Sequence, residues 1–135
     1  MSAHSRLARR SLLWAPVLAY MAAIFYVSSL PNPVPELIET AGDKTLHVLA
    51  YAGLAFLCGR AIGEEGAGWR ATLLLAFAVA TVYGATDEWH QMYVPGRGPS
   101  LYDWLADAGG SGAGAAIHAL AVIGRPRPLS ASAQT

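Results

Sequence analysis

Four long apolar stretches, separated by short polar breaks, divide the chain. Each has about the 20 residues that an α-helix needs to cross the hydrocarbon core of a membrane. The fourth is the least apolar, because it consists mostly of Ala and Gly and carries two acids. The pattern predicts an all-α integral membrane protein, a four-helix bundle with helices at about 11–30, 44–62, 69–93 and 101–123.

The breaks between the stretches are rich in proline and glycine, which end helices. PNPVPE follows the first stretch, GEEGAG the second and VPGRGPS the third. Residues 1–10 form a basic N-terminus, and residues 124–135 form a polar tail that we expect to be disordered. The predicted organisation is therefore one transmembrane domain, 11–123, between two short flanking segments.

Composition strengthens the membrane interpretation. Hydrophobic residues make up 54% of the 135 positions and charged residues only 13%, about half of the roughly 25% found in soluble domains. The formal net charge is zero, so nothing in it favours nucleic acid as a partner. The single cysteine, Cys58, excludes an internal disulfide and a metal site built from cysteines.

Positive charges predict how the four helices are oriented. With four spans, seven arginines fall on one side of the membrane, and only Lys44 and Arg97 fall on the other. The side with the excess is expected to face the cytoplasm, so both termini are predicted to be cytoplasmic. The seven arginines are Arg6, Arg9, Arg10, Arg60, Arg70, Arg125 and Arg127.

Acidic residues show the opposite asymmetry. Seven carboxylates share the outer side with two cations, which gives that side a formal charge of 2 − 7 = −5. Such an excess requires solvation, protonation, or a bound cation or cationic ligand. The outer acids are Glu36, Glu39, Asp43, Asp87, Glu88, Asp103 and Asp107.

The outer end of the second helix carries the first of three polar motifs. Asp43, His47 and Tyr51 share one face through their i, i+4, i+8 spacing, and Lys44 stands beside them. A capping role alone explains Asp43 about equally well, because an acid at a helix N-terminus favours the positive end of the dipole. The same holds for Asp103 in the fourth helix.

The outer end of the third helix carries the second motif. Gly84, Asp87, Glu88 and Gln91 fall on one stripe, with His90 beside it. The helix dipole disfavours acids in the last turns by a few tenths to about 1 kcal/mol, and a lipid-facing acid is costlier still. Asp87 and Glu88 are therefore predicted to face the bundle.

The third motif spans the loop after the third helix and the start of the fourth. Arg97 and Ser100 precede Asp103 and Asp107, which are again spaced i, i+4. Together the three motifs predict an acidic pocket with three walls at the outer face. A functional site is favoured over an ion-pair network that only stabilises the fold, but both interpretations stay open.

Small residues predict where the helices approach each other closely. Gly110 and Gly114 form a small-xxx-small pair in the fourth helix, a spacing that lets helix backbones come together. We assign these two and Gly84 to helix packing. His118, alone in the inner half of the fourth helix, is interpreted as a buried, hydrogen-bonded histidine.

Taken in order, these motifs resemble the VanZ-like family of small bacterial membrane proteins. The resemblance covers roughly half of the chain, and the residues that carry it are Asp43, Lys44, His47, Tyr51, Tyr83, Gly84, Asp87, Glu88, Gln91, Arg97, Asp103, Gly110 and Gly114. It implies a multi-pass protein of the bacterial cytoplasmic (inner) membrane, with a namesake linked to resistance to teicoplanin-type glycopeptides. No reaction is established for the family, so no catalytic role carries over. The family usually has Asn where this chain has Asp107.

Three functions fit these residues. In the favoured hypothesis, the pocket binds a lipid headgroup, a lipid-linked cell-wall intermediate or an amphiphilic glycopeptide. Arg97 and Lys44 would then bind the phosphate or carboxylate group of this ligand. The second is a metal-assisted hydrolase or transferase, in which a divalent cation is held by His47, Asp87, Glu88 and Asp103. In the third, a structural or partner-binding protein, the acids only hold the helices together. The oligomeric state is left open.

Overall fold

The computed structural model of the chain describes residues 3–31 and 35–123. Helices account for nearly all of these residues, and no strand occurs among them. The helices are α1 (Ala3–Ser28), α2 (Pro35–Ala41), α3 (Asp43–Glu64), α4 (Trp69–Gln91) and α5 (Leu101–Ile123). The tail 124–135, for which we expected disorder, lies outside the described residues.

Three of the helices, α1, α3 and α4, have the length and apolar composition needed to cross a membrane. Large apolar side chains point outward from the long helices; Leu12 is 75% exposed, Leu74 63% and Leu120 69%. Soluble monomers rarely leave extended apolar surface uncovered. The predicted all-α architecture is thereby confirmed, and the three apolar helices are compatible with a membrane protein. Helix α5 has 23 residues but is not among the three helices that are long and apolar enough to cross a membrane.

The first helix begins at Ala3, earlier than the apolar stretch from which it was predicted. The added turns contain Leu, Ala and Arg, which are good helix formers. Their arginines also find partners at the end of α3, because Arg9 lies 3.4 Å from Glu64 and Arg10 lies 3.3 Å from Glu65. Helix propensity therefore favours the extension of α1 beyond its apolar segment, and the two charge pairs connect the added turns to α3.

A short helix, α2, occupies part of the break that follows the first apolar stretch. Pro35 is its first residue, a position where the fixed φ of proline is compatible with a helix. The helix ends at Ala41 and is followed by Gly42, whose φ of +82° is accessible to glycine and whose N–H donates to Ile38 O at 2.9 Å. This turn leads directly into α3 and places Asp43 at its first position.

Helix α5 packs most extensively on α3 and next on α4, while α1 packs mainly on α3. The contact between α3 and α5 is a backbone contact. A Cβ atom built on Gly110 would collide with the carbonyl of Val48, and one built on Gly114 would collide with that of Ala52. The two glycines therefore allow a separation between α3 and α5 that no larger residue permits.

The ends of the bundle differ in their polar content. At one end, the beginning of α1 meets the end of α3 through the arginine–glutamate pairs. At the other end, the starts of α3 and α5 meet the ends of α1 and α4, where Lys44 reaches Asp103 and Ser28 reaches Asp87. Most of the predicted pocket residues lie at this second end.

Substituting alanine for Gly110 should destabilise the protein by about 1–3 kcal/mol, because the added methyl group overpacks a backbone contact. Gly109 is the matched control, since it is exposed and a Cβ there meets nothing within 4 Å. Gly109→Ala should be neutral or stabilise by about 0.5–1 kcal/mol through helix propensity. Thermal melting in detergent measures both variants. Equal melting temperatures for the two would contradict the close contact between α3 and α5.

Candidate functional site

Helices α3 and α5 are joined by two polar contacts one turn apart. The Lys44 ammonium forms an ion pair with Asp103. His47 Nδ1 lies 2.8 Å from Asp107 Oδ1, and its Nε2 lies 4.0 Å from Asp43 Oδ1. Asp107 is completely buried and Asp103 nearly so. These contacts continue the glycine contact of α5 toward the end of the bundle where α3 and α5 begin.

Gly84 makes room for Asp107 on the side of α4. A Cβ atom on Gly84 would lie 2.9 Å from Asp107 Oδ2 and 3.0 Å from Asp107 Cβ. The residue that the sequence analysis assigned to helix packing thus lies directly against a carboxylate of the site. An alanine here would force Asp107 away from His47.

The two adjacent acids of α4 face different partners. Asp87 Oδ1 accepts a hydrogen bond from Ser28 Oγ at 2.5 Å, and its Oδ2 accepts one from Gln91 Nε2 at 3.2 Å. Glu88 Oε2 instead accepts from the backbone N–H of Ser100 at 2.6 Å, immediately before α5. Both acids are buried, Asp87 at 4% exposure and Glu88 at 6%. Asp87 therefore links α4 to α1, and Glu88 links it to α5.

Glu88, Asp103 and Asp107, with Asp43, Lys44 and His47, form what we call the polar cluster. Three buried atoms in and beside it have no hydrogen-bond partner among the described residues: Tyr51 OH, Glu88 Oε1 and Asp107 Oδ2. Buried polar atoms are nearly always satisfied in proteins, and leaving one unsatisfied costs about 1–3 kcal/mol. The cluster is therefore incomplete as a set of contacts within the chain.

A cavity of about 270 Å³ opens beside the polar cluster, between α1, α3 and α4. Its apolar lining comes from Ala23, Ile24 and Val27 of α1, with Ile38, Leu46 and Ala50 added by α2 and α3. Its polar lining comes from α1, α3, α4 and the loop before α5. The polar lining residues are Tyr20, Ser28, Asp43, His47, Tyr51, Asp87, Gln91 and Arg97.

Arg97 lines this cavity from the loop that precedes α5. Its side chain is half-buried, and no carboxylate of the described residues lies within 4.0 Å of it. The other cation on this side, Lys44, is already paired with Asp103. Arg97 is therefore the cation that remains available to an anionic group in the cavity.

The structure divides the predicted pocket residues into two sets. Six of them line the cavity: Asp43, His47, Tyr51, Asp87, Gln91 and Arg97. Lys44, Glu88, Ser100, Asp103 and Asp107 lie in or next to the polar cluster behind His47. His90 lies outside both, with its Nε2 3.0 Å from Ser29 Oγ and its ring against Phe25.

Two groups of side chains in the polar cluster are arranged so that they could hold a metal ion. One consists of Asp43, His47 and Asp103, and the other of His47, Glu88 and Asp107; in each, one ligand atom per residue lies within 4.8 Å of the others. Asp87, which the sequence analysis included among the metal ligands, belongs to neither group. Its two oxygens face Ser28 and Gln91 instead.

The contribution of α1 to the site was missed in the sequence analysis. Ser28 hydrogen-bonds to Asp87, and Tyr83 OH donates to Met21 O at 2.7 Å, so α1 is held against α4 next to the cavity. The adjacent serines at the end of the first apolar stretch were the available signal, since buried serines in membrane helices seek partners on other helices.

Comparisons of the chain with protein-family models, with curated proteins and with solved structures find no match.

The Ser28–Asp87 hydrogen bond should couple α1 to α4. Ser28→Ala leaves a buried carboxylate oxygen without its donor, so we expect a loss of about 1–3 kcal/mol. In an Asp87→Asn background, where the acceptor is altered, Ser28→Ala should lower the free energy of unfolding by less. A double-mutant cycle of melting temperatures in detergent measures this difference. Strictly additive effects of the two substitutions would show that the pair does not interact.

Proposed function

We propose that this chain is a VanZ-like membrane protein that binds the polar head of a membrane amphiphile in the cavity between α1, α3 and α4. The observation that carries the proposal is the mixed lining of that cavity. Ala23, Ile24 and Val27 contribute apolar groups, and Arg97 and Gln91 contribute polar ones. A molecule with a charged head and a hydrocarbon tail matches both kinds of group at once.

The proposal includes four membrane spans with both termini in the cytoplasm of a bacterium. The exposed apolar side chains of α5, including Ile117 at 57% and Leu120 at 69%, support a lipid-facing role for this helix too. Its acids Asp103 and Asp107 are turned inward and buried. They therefore add little to the free-energy cost of placing α5 across a membrane. The excess of arginines supports the orientation.

Cavity size narrows the choice of ligand. Sites for drug-sized molecules measure about 300–1,000 Å³, and this cavity measures about 270 Å³. A headgroup with the first part of its acyl chain fits such a volume, whereas a whole glycopeptide is too large and only its lipid tail would enter. A phospholipid or a lipid-linked cell-wall intermediate is therefore the ligand class that we propose, with Arg97 on its phosphate.

One observation also favours the second candidate function, a metal-assisted hydrolase or transferase acting on a lipid-linked substrate. The two groups of potential metal ligands share His47, which also lines the cavity. A cation held there would lie next to the headgroup of a bound lipid and could polarise it.

The proposed orientation can be tested with two matched cysteines. Gly68 and Gly98 are both exposed loop glycines at which a Cβ meets nothing within 4 Å. In a background where Cys58 is replaced by alanine, a membrane-impermeant thiol reagent should label Gly98→Cys in intact spheroplasts. Gly68→Cys should react only after the membrane is opened. Labelling of both, or of neither, from the outside would contradict a crossing of the membrane by α4, and labelling of Gly68→Cys alone would contradict the proposed orientation.

Binding can be tested with phosphatidylglycerol as an anionic probe and phosphatidylcholine as a zwitterionic one. We expect the purified protein to retain phosphatidylglycerol in native mass spectrometry. Arg97→Ala should weaken the affinity for phosphatidylglycerol about tenfold or more, because a charged hydrogen bond contributes about 1.5–3 kcal/mol. Ala50→Phe, which fills the cavity from α3, should also weaken it. The control is Ala78→Phe, at an exposed position of α4 away from this cavity.

Equal retention of phosphatidylglycerol by the wild type and all three variants would show that the lipid binds elsewhere on the apolar surface. Mass spectrometry of the lipid that copurifies from bacterial membranes distinguishes a phospholipid from a lipid-linked cell-wall intermediate. A role in glycopeptide resistance predicts that expression lowers teicoplanin susceptibility and that Arg97→Ala abolishes the effect.

A further inference from the structure

We propose that His47, Glu88 and Asp107 form a site for one divalent cation of the first transition row, Mn²⁺ or Zn²⁺, buried where α3, α4 and α5 meet. The site lies behind the cavity, because His47 lines the cavity while Glu88 and Asp107 do not. The proposal is independent of which amphiphile, if any, the cavity binds.

The distances in this group suit a metal ion. One ligand atom from each of the three residues lies within 4.8 Å of the other two. His47 Nδ1 and Asp107 Oδ1 are 2.8 Å apart. Neighbouring ligand atoms on one ion, each at roughly 2.1 Å from it, lie about 3 Å apart. Glu88 supplies the third ligand atom of the group.

The unpartnered atoms are the second and independent observation. Glu88 Oε1 and Asp107 Oδ2 are buried and have no hydrogen-bond partner among the described residues. Asp107 is 0% exposed and Glu88 6% exposed, so bulk water does not solvate these oxygens. A proton on one carboxylate satisfies one oxygen, whereas a divalent cation supplies a partner and a compensating charge for both residues.

No lysine or arginine of the described residues lies within 4.0 Å of either of these two carboxylates. Lys44 is bound to Asp103, and Arg97 has no carboxylate within 4.0 Å in the described part of the chain. His47 reaches Asp107 but offers at most one positive charge. The remaining negative charge favours a bound cation at this position.

The alternative group, Asp43, His47 and Asp103, is less suited to a metal. Asp103 Oδ1 is already occupied by the Lys44 ammonium, which also lies 4.0 Å from Asp43. A metal ion here would be repelled by Lys44. The Asp43 side chain is moreover 40% exposed, so water already solvates it. The deeper group has neither disadvantage.

Neighbouring groups hold the ligands of the deeper group in place. The N–H of Ser100 fixes Glu88 Oε2 at 2.6 Å and leaves Oε1 available. Gly84 gives the Asp107 carboxylate the room it needs against α4. One imidazole nitrogen with two carboxylates is a donor set typical of Zn²⁺ and Mn²⁺, whereas Ca²⁺ and Mg²⁺ prefer oxygen alone.

The test uses the full-length protein purified in detergent and stripped with a chelator. Titration with Mn²⁺, followed by electron paramagnetic resonance, should show one bound ion per chain, and Zn²⁺ should displace it. Glu88→Gln and Asp107→Asn should each lower the Mn²⁺ affinity about tenfold or more, since even outer partners of a metal site change affinity 10–100-fold. Pulsed electron paramagnetic resonance should detect a histidine nitrogen coordinated to the bound Mn²⁺, and His47→Gln should remove that signal.

Asp43→Asn and Asp103→Asn are the matched controls, because they remove acids of the alternative group and leave the deeper one intact. Both should lose much less Mn²⁺ affinity than Glu88→Gln and Asp107→Asn do. Melting curves of metal-free Glu88→Gln and Asp107→Asn verify that they fold, and the wild-type titration and nitrogen signal do not depend on any variant. Absence of saturable Mn²⁺ and Zn²⁺ binding to the wild type overturns the proposal. So does binding that survives Glu88→Gln and Asp107→Asn but is lost in the two controls.

Discussion

The rest of the structure depends on the backbone contact between α3 and α5. Because Gly110 and Gly114 have no side chain, α5 lies directly against the carbonyls of Val48 and Ala52. This contact fixes both the distance and the register of the two helices. One turn further out, the same register brings Asp107 to His47. The polar cluster is therefore a consequence of how closely two helices approach each other.

Close approach also explains why the cluster is buried and yet incomplete. Asp107 has Gly84 on one side and His47 on the other, with no room for bulk water. Glu88 enters from α4 and uses one oxygen on Ser100. The remaining oxygens have no partner in the described part of the chain. Buried carboxylate oxygens without partners do not stabilise the fold. A bound ligand or ion that supplies the missing partners explains this arrangement better.

Local spacing was enough to anticipate part of the fold and of the site. The apolar runs indicated the long helices, and the i, i+4, i+8 spacing put Asp43, His47 and Tyr51 on one face, where all three now line the cavity. The pairing of His47 with Asp107 could not be read in advance, because it depends on the register of two helices distant in sequence. The same is true of Ser28, whose partner Asp87 is on another helix.

The central claim, that the cavity between α1, α3 and α4 holds the head of a membrane amphiphile, is tested most directly by an experimental structure in lipid nanodiscs. We predict elongated density against the apolar side chains of Ile24 and Val27, ending in a headgroup beside Arg97 and Gln91. A structure in which α1 closes onto Tyr51 and leaves no space for a ligand would contradict the account.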